Sequence, residues 1–445
     1  MKILFATLAL FAMAFSALIF AGASRAESPV TFSGFIELNR YDHGGYFNVT
    51  DYLPKADDLG DHYFSTRLRL NVSFKPTDYL EIKWRLHAPH AQRWGTGTAQ
   101  LTPSTRYIYG IVTTAIGKFS AGRISYDLNS AGLQTLGYLP YWGMNAQFNP
   151  FDVDSEDDGI MYRNDWDNGF GLKAFYLKDA SESDVKDGDY DRYSIEPYYK
   201  WEGGGASFAV QYDRNMTNDV IENYYVSVNP AIVHSFAVGE GTSLGFHAEA
   251  KYSVGKRRDT AASDEYTIDG LGVYADLALM YPSGDVTLSG WWFNGNEEGD
   301  PASHVTGGGT RHDLVDGGEG FYPFVVFYLG HYHDAGYFNH NSYMQPNHWG
   351  VALLGNHRFT EKINFNWSVG TFQRVKDYFN AEDKAISKNM GTEADLGLDV
   401  TLMDNLYFNS KVGVFAPGDY YQQRYPTASI SDLVWAWGNR LTYTF

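Results

Sequence analysis

The chain has no cysteine among its 445 residues. Disulfide staples, thiolate metal sites and cysteine nucleophiles are excluded at once. The lack also suits transit through an oxidising compartment, where stray thiols misjoin. Basic residues are outnumbered, with 34 Lys and Arg against 53 Asp and Glu and a formal charge of −19. That balance argues against nucleic acid as a partner. Long apolar runs are scarce too. Beyond residue 26 nothing approaches the roughly 20 unbroken apolar residues that a membrane helix needs.

The first feature present is an address. Lys2 is followed by an apolar run from Ile3 to Ala21, then by small residues and Ser24-Arg25-Ala26. A charged start, an apolar stretch and a small-x-small site read as a secretory signal peptide over residues 1–26. Cleavage is expected after Ala26, with Ala23 as the alternative. Removing Lys2 and Arg25 leaves 32 basic side chains against the same 53 acidic ones, so the mature chain stays acidic. An exported chain rich in Tyr, Phe and Trp, yet without a membrane helix, has one other way across a bilayer. A closed β-barrel pairs every backbone N–H and C=O within its own wall.

Strict alternation supports that solution. Leu68, Leu70, Val72 and Phe74 alternate with Arg67, Arg69, Asn71, Ser73 and Lys75, and Pro76-Thr77-Asp78 then forms a turn. Leu80, Ile82, Trp84 and Leu86 alternate with Glu81, Lys83, Arg85 and His87. Side chains two apart share one face of a strand. One face is therefore apolar and the other charged. The same reading holds at Leu244 to Lys251, Leu271 to Leu279, Asn364 to Gly370 and Glu393 to Leu402. In a barrel the apolar set meets lipid and the charged set lines water.

Connections alternate short and long. Short ones are expected near residues 76–78, 113–115, 163–167, 202–205, 238–242, 282–284, 360–362 and 403–405. Long ones are expected at 42–61, 88–104, 125–158, 178–188, 214–222, 255–265, 294–346, 376–387 and 417–429. Short periplasmic turns alternating with long outer loops are the outer-membrane pattern. The expected fold class is all-β, a transmembrane antiparallel β-barrel of about 18 strands spanning residues 27–445. Sixteen strands result if two weaker segments, such as Ile160–Arg163, drop out. The last strand, Val434 to Phe445, carries Trp435, Trp437, Leu441, Tyr443 and Phe445 on one face. Its terminal aromatic looks like the signal read by the barrel-insertion machinery of bacterial outer membranes.

One block goes further. Thr105-Arg106-Tyr107-Ile108-Tyr109-Gly110-Ile111-Val112, followed by Ile116-Gly117-Lys118-Phe119-Ser120-Ala121-Gly122-Arg123, resembles the paired strands before the constriction loop of the bacterial general porins. Tyr162-Arg163-Asn164 with Gly169-Phe170-Gly171-Leu172 looks like the return from that loop. Gly391 to Asp419 is similar to the C-terminal ends of other large porin-like barrels, including exporters of acidic polysaccharide. The resemblance implies a homotrimer in the outer membrane, against lipid and lipopolysaccharide, passing small hydrophilic solutes and ions. It also implies that the third loop, residues 125–158, folds into the lumen. Its candidate constriction residues are Tyr141, Trp142, Asp152, Asp154, Glu156, Asp157 and Asp158. Tyr141 stands where the family often places a carboxylate.

Parity puts Arg67, Arg69, Lys83, Arg85 and Arg106 on the water-facing wall, with Arg163 joining them. Opposed charge at close quarters sets ion selectivity. Arg123 shares the parity of Phe119 and Ala121 unless a bulge intervenes. His312, His331, His333 and His340 have no ligand spacing, so no metal site is expected. Tyr141, Trp142, Trp291 and Phe372 form a candidate sugar-stacking track. No nucleophile–base–acid constellation can be placed, so no enzyme and no cofactor are expected. Two functions remain. One is a diffusion channel. The other is a structural or secretion barrel serving a partner, in polysaccharide export or as the sheath of an electron-transfer cytochrome.

Overall fold

The structure is a computed structural model that describes residues 30–44, 62–88, 104–126, 155–180, 189–218, 221–259, 264–294, 304–305, 348–377, 384–424 and 432–445. The expected signal peptide lies outside the described residues, as do Tyr141, Trp142, Asp152, Asp154 and the four loop histidines.

The wall is built from 18 strands. They are β1 (Val30–Gly44), β2 (His62–Thr77), β3 (Leu80–Ala88), β4 (Ser104–Thr114), β5 (Gly117–Tyr126) and β6 (Ser155–Asp165). Next come β7 (Phe170–Ala180), β8 (Asp189–Trp201), β9 (Gly204–Asn218), β10 (Ile221–Gly239), β11 (Thr242–Asp259) and β12 (Asp264–Tyr281). The last six are β13 (Gly284–Phe293), β14 (His348–Thr360), β15 (Ile363–Arg374), β16 (Asn389–Met403), β17 (Leu406–Pro417) and β18 (Val434–Thr444). One short helix, α1 (Asp419–Arg424), follows β17. A two-residue bridge, His304–Val305, runs parallel to Thr267–Ile268 of β12 and stands outside the wall.

Each strand pairs antiparallel with the next, and β18 pairs with β1 from Phe35 opposite Thr444 to Gly44 opposite Trp435. The sheet is thereby closed and has no edge to protect. The last residue secures the seam. The Gly34 amide donates to the Phe445 carbonyl oxygen at 2.9 Å, and the Phe445 amide returns the bond to Gly34 at 3.1 Å.

Alternation explains which face each strand presents. On β11 the outward set runs Leu244, Phe246, Ala248, Ala250, Tyr252 and Val254. Its inward counterparts include His247, Glu249, Lys251 and Ser253, all buried. Outward Leu277, Phe208 and Leu396 are exposed by 47, 46 and 53%. Exposed apolar residues on nearly every strand form a continuous belt, far larger than the patch of a few hundred Å² normal for a soluble monomer. A tilted strand of about 9–11 residues crosses the hydrocarbon layer. The run from Leu244 to Val254 fits that length, so the belt meets lipid.

All eight expected short connections join strand pairs at one end of the barrel, the end that also holds Phe445. At the other end three expectations need correction. Residues 214–218, 221–222, 255–259 and 264–265 are strand rather than long loop, because β9 runs to Asn218, β10 starts at Ile221, β11 runs to Asp259 and β12 starts at Asp264. The ladder outlasts the apolar alternation there, so polar strand looks like loop in the sequence. The third loop is also shorter than 125–158. β5 runs to Tyr126 and β6 begins at Ser155, which makes Glu156, Asp157 and Asp158 strand residues paired with Ser125, Ile124 and Arg123. Likewise β6 runs through Asp165, so Arg163 precedes the turn instead of opening it.

Gly122 has a local job in the family-like block. Its φ of +130° lies where L side chains rarely sit, and a Cβ there would stand 2.5 Å from the Ile108 carbonyl oxygen. Only glycine lets β4 and β5 approach at this point.

Candidate functional site: a basic wall inside the barrel

The inward faces of β1 to β4 carry most of the expected basic residues. In register, Glu37 lies opposite Arg67, and Phe35 opposite Arg69. Arg69 lies opposite His87, Asn71 opposite Arg85 and Ser73 opposite Lys83. On the next strand Tyr107 faces Arg85 and Tyr109 faces Lys83. With strands about 4.8 Å apart and residues about 3.4 Å apart along them, Arg69 and Arg85 are near neighbours, and Arg67 and Lys83 stand at the two ends of a row about 20 Å long.

A bare cluster of cations would repel itself, and the sequence points to loop carboxylates as the remedy. The wall supplies partners of its own. Glu37 sits between two guanidiniums, with Arg67 Nη1 at 3.6 Å and Arg440 Nη1 of β18 at 3.7 Å. Arg67 Nε donates to His87 Nε2 at 3.1 Å. Arg85 Nε donates to Asn71 Oδ1 at 2.7 Å, and its guanidinium lies 4.5 Å over the Tyr107 ring. Arg67 and Arg69 both lie 5.2 Å over Phe35. Lys83 Nζ is 3.9 Å from Glu81, which also lies 3.9 Å from Lys75 Nζ and accepts a hydrogen bond from Ser73 Oγ at 2.8 Å. Aromatic faces and neutral acceptors orient a cation without cancelling its charge. The side chains of Arg67 and Lys83 keep 21 and 38% of their exposure.

The structure sets Arg67, Arg69, Lys83 and Arg85 in one inward row on β2 and β3, and two expected members fall elsewhere. Arg106 is the extra residue of a bulge between β3 and β4, where the register passes from Thr105 opposite Leu86 to Tyr107 opposite Arg85. Tyr107 therefore takes the regular lumen position. Arg163 has the inward parity but sits at the short-turn end of β6, opposite Lys118 and Lys173. There it binds Asp165 at 2.9 Å, and Tyr198 Oη and Lys200 Nζ also donate to Asp165 at 2.7 and 3.2 Å. Parity sets the side of a residue and not its height.

Asp158 also leaves the lumen. It alternates with outward Ile160, is exposed, and lies opposite exposed Arg123. Arg123 thus follows the simple parity of Phe119 and Ala121. The sequence reading missed Glu37, Glu81, Phe35, Tyr107 and Arg440. Arg440 was legible, since the outward set Trp437, Leu441 and Tyr443 leaves it facing inward. Trp291 and Phe372 are both buried with ring centroids 6.1 Å apart, so they offer no open stacking face. Among the described residues no group of three His, Asp or Glu is placed to hold a metal ion.

The inward charges of β7 to β12 differ in kind. Arg192 Nε donates to Asp213 at 2.7 Å, and the Gln211 amide also donates to that carboxylate. Lys173 is 3.9 Å from Glu196, and His247 lies between Asp276 at 3.3 Å and Glu249 at 3.8 Å. All seven of these ionisable groups are buried. This arc is a closed polar network.

No family model matches the sequence, and no curated protein does either. Solved structures match the fold. They include Acinetobacter baumannii OccAB2 (TM-score 0.55, 13% identity, covering 94% of this chain and 98% of that one). The outer membrane protein opdK from Pseudomonas aeruginosa aligns at TM-score 0.55 and 12% identity, over 93 and 98%. A BenF-like porin from Pseudomonas fluorescens Pf-5 aligns at 0.55 and 10%, over 94 and 98%. The fold is that of bacterial outer-membrane porins. The likeness is to channels of the Occ and Opd kind and does not single out the general porins.

Proposed function

We propose that this chain is an outer-membrane channel through which small hydrophilic solutes pass without energy input, with a lumen that favours anions. The observation that carries the reading is the partly exposed basic wall of Arg67, Arg69, Lys83 and Arg85. In this reading the short-turn end faces the periplasm and the long-connection end faces outward, the usual orientation of such barrels. The low dielectric of the wall and surrounding lipid focuses the field of these cations into the aqueous path. Aromatic and amide partners hold the guanidiniums in place, ready for a passing carboxylate or phosphate.

A likeness in fold to a BenF-like porin also supports conduction over catalysis. The third loop, with Tyr141, Trp142, Asp152 and Asp154, remains the proposed source of opposing acidity, and trimer formation remains a proposal from the family resemblance. The test is conductance of the purified barrel in planar bilayers. An open, partner-independent conductance that falls when a small carboxylate is added supports the channel. A closed barrel that copurifies with a haem protein or an acidic polysaccharide would replace it with the partner-serving reading.

A further inference from the structure

The outward face carries a second charge pattern, separate from the lumen. At the long-connection end of β5 to β11, the residues just beyond the apolar belt are charged on strand after strand. Arg123 lies opposite Asp158, Asp158 opposite Lys178, Lys178 opposite Asp191, and Asp191 opposite Arg214. Glu222 continues the row, 3.9 Å from Arg214 and in register with Arg258. Lys256 stands beside them, opposite Tyr224. The signs alternate: β5, β7, β9 and β11 present cations, while β6, β8 and β10 present carboxylates.

The height of this row is marked by the residues beneath it. Tyr176, Tyr193 and Tyr212 form a line of rings with centroids 4.8 and 6.2 Å apart, and Tyr176 Oη donates to Asp191 at 2.9 Å. Outward tyrosines above an apolar band mark the level of the membrane interface. The charges above them are therefore at headgroup level. At the same end of β13 to β18, the outward residues are Trp292, Trp349, Gln373, Thr392, Ala416 and Trp435, none of them charged. The belt is thus dense on β5 to β11 and absent from these residues of β13 to β18, while on β1 exposed Arg40 has the outward parity of Ile36 and Leu38. On β5 to β11 it holds five cations and three carboxylates, and β12 adds Asp269 and Glu265 in register with Val254 and Arg258, within a chain whose formal charge is −19.

We propose that this belt docks the phosphate-bearing lipid headgroups of the leaflet at the long-connection end. The inference rests on the transmembrane barrel and not on conduction. Cations on every second strand are about 10 Å apart. That spacing spreads them as separate phosphate contacts instead of one dense patch, and the carboxylates between them relieve their mutual repulsion. Arg123, Arg214, Lys256 and Arg258 remain exposed despite these neighbours. Guanidinium groups suit phosphate because they offer paired donors in one plane.

The test uses the full barrel in detergent, with a bis-phosphorylated glycolipid and its dephosphorylated form as probes, and native mass spectrometry to count bound lipid. The wild type should retain the phosphorylated form in preference. Arg214→Ser with Lys256→Ser and Arg258→Ser should lower that retention about tenfold or more, and Arg258→Ser alone about threefold. Folding of each variant is checked by its heat-dependent gel migration, and the single variant serves if the triple one does not assemble. Asp191→Asn with Glu222→Gln should bind the phosphorylated lipid as well as the wild type or better. Equal retention of the two lipids, or no loss in the cation variants, overturns the proposal. So does a matching loss in the carboxylate variant, which would mark the row as structural. A loss of oligomer with lipid retention unchanged would also overturn it and make the belt an interface between copies.

Discussion

Two arcs of the lumen wall alternate in the same way and yet behave differently. On β1 to β4 the inward cations keep part of their exposure and rest on aromatic rings, amides and two shared carboxylates. On β7 to β12 the inward charges are buried beside opposite charges, as in Arg192 with Asp213 and Lys173 with Glu196. Alternation decides only that a charge faces inward. Whether it then holds the wall together or meets a solute depends on its cross-strand neighbour. A carboxylate directly opposite closes a pair, as Glu37 does for Arg67, whereas the rings and amide opposite Arg69 and Arg85 leave the field of those cations available.

The largest effect should come from opening a closed pair. Arg192→Ala leaves the Asp213 carboxylate buried at 0% exposure with its main counter-charge gone. Breaking such a pair costs about 3–5 kcal/mol. The midpoint of urea-driven loss of the folded band on unheated gels should fall sharply, while channel selectivity in the surviving fraction should not move. Replacing both partners, Arg192→Met with Asp213→Leu, should recover most of the stability. An Arg192→Ala barrel as stable as the wild type would place this arc in the same class as the basic wall.

Next in size is a cation on the wrong face. Leu396, mid-strand on β16 and 53% exposed, meets lipid by parity. Leu396→Arg should cost about 2–4 kcal/mol near the midplane. The yield of assembled barrel should drop, whereas Asn364→Arg on the inner face, beside the Asp399 carboxylate, should assemble normally. Equal yields would remove the inside–outside distinction on which both arcs depend.

A smaller effect is expected within the basic wall. Arg85→Lys keeps the charge and loses the planar fork that donates to Asn71 and lies over Tyr107. A cation–π contact of this kind contributes about 0.5–1 kcal/mol where partly exposed. Stability should change little and anion preference should persist, with weaker block by added carboxylate. Loss of preference in this variant would show that geometry and not charge governs the wall.

Much of this was legible in the sequence, and the misses share a cause. Leu244 to Lys251 and Leu271 to Leu279 showed their two faces outright, because lipid on one side and polar lumen on the other enforce period two. Turns such as Pro282-Ser283-Gly284 were legible for the same reason. Beyond the lipid the constraint lapses. Residues 214–218, 221–222, 255–259, 264–265 and 155–158 continue the ladder beyond the apolar alternation and so looked like loop. Arg163 was misplaced because period two carries no height, and Arg106 because a bulge adds a residue that no alternation announces. Glu37 escaped notice since its partner Arg67 is 30 positions away, and only closure of β18 onto β1 brings Arg440 to it.

The most direct measurement is the zero-current potential of single barrels in a potassium chloride gradient, repeated at several ionic strengths. Wild type should prefer chloride. Arg67→Ser with Arg69→Ser and Arg85→Ser should shift the potential toward cation preference, and the shift should shrink as salt screens the field over about 10 Å at 0.1 M. Neutralising the Lys173 and Glu196 pair together should leave the potential unchanged. If the triple variant keeps the wild-type potential at every salt concentration, the exposed basic wall does not set selectivity and the central claim fails.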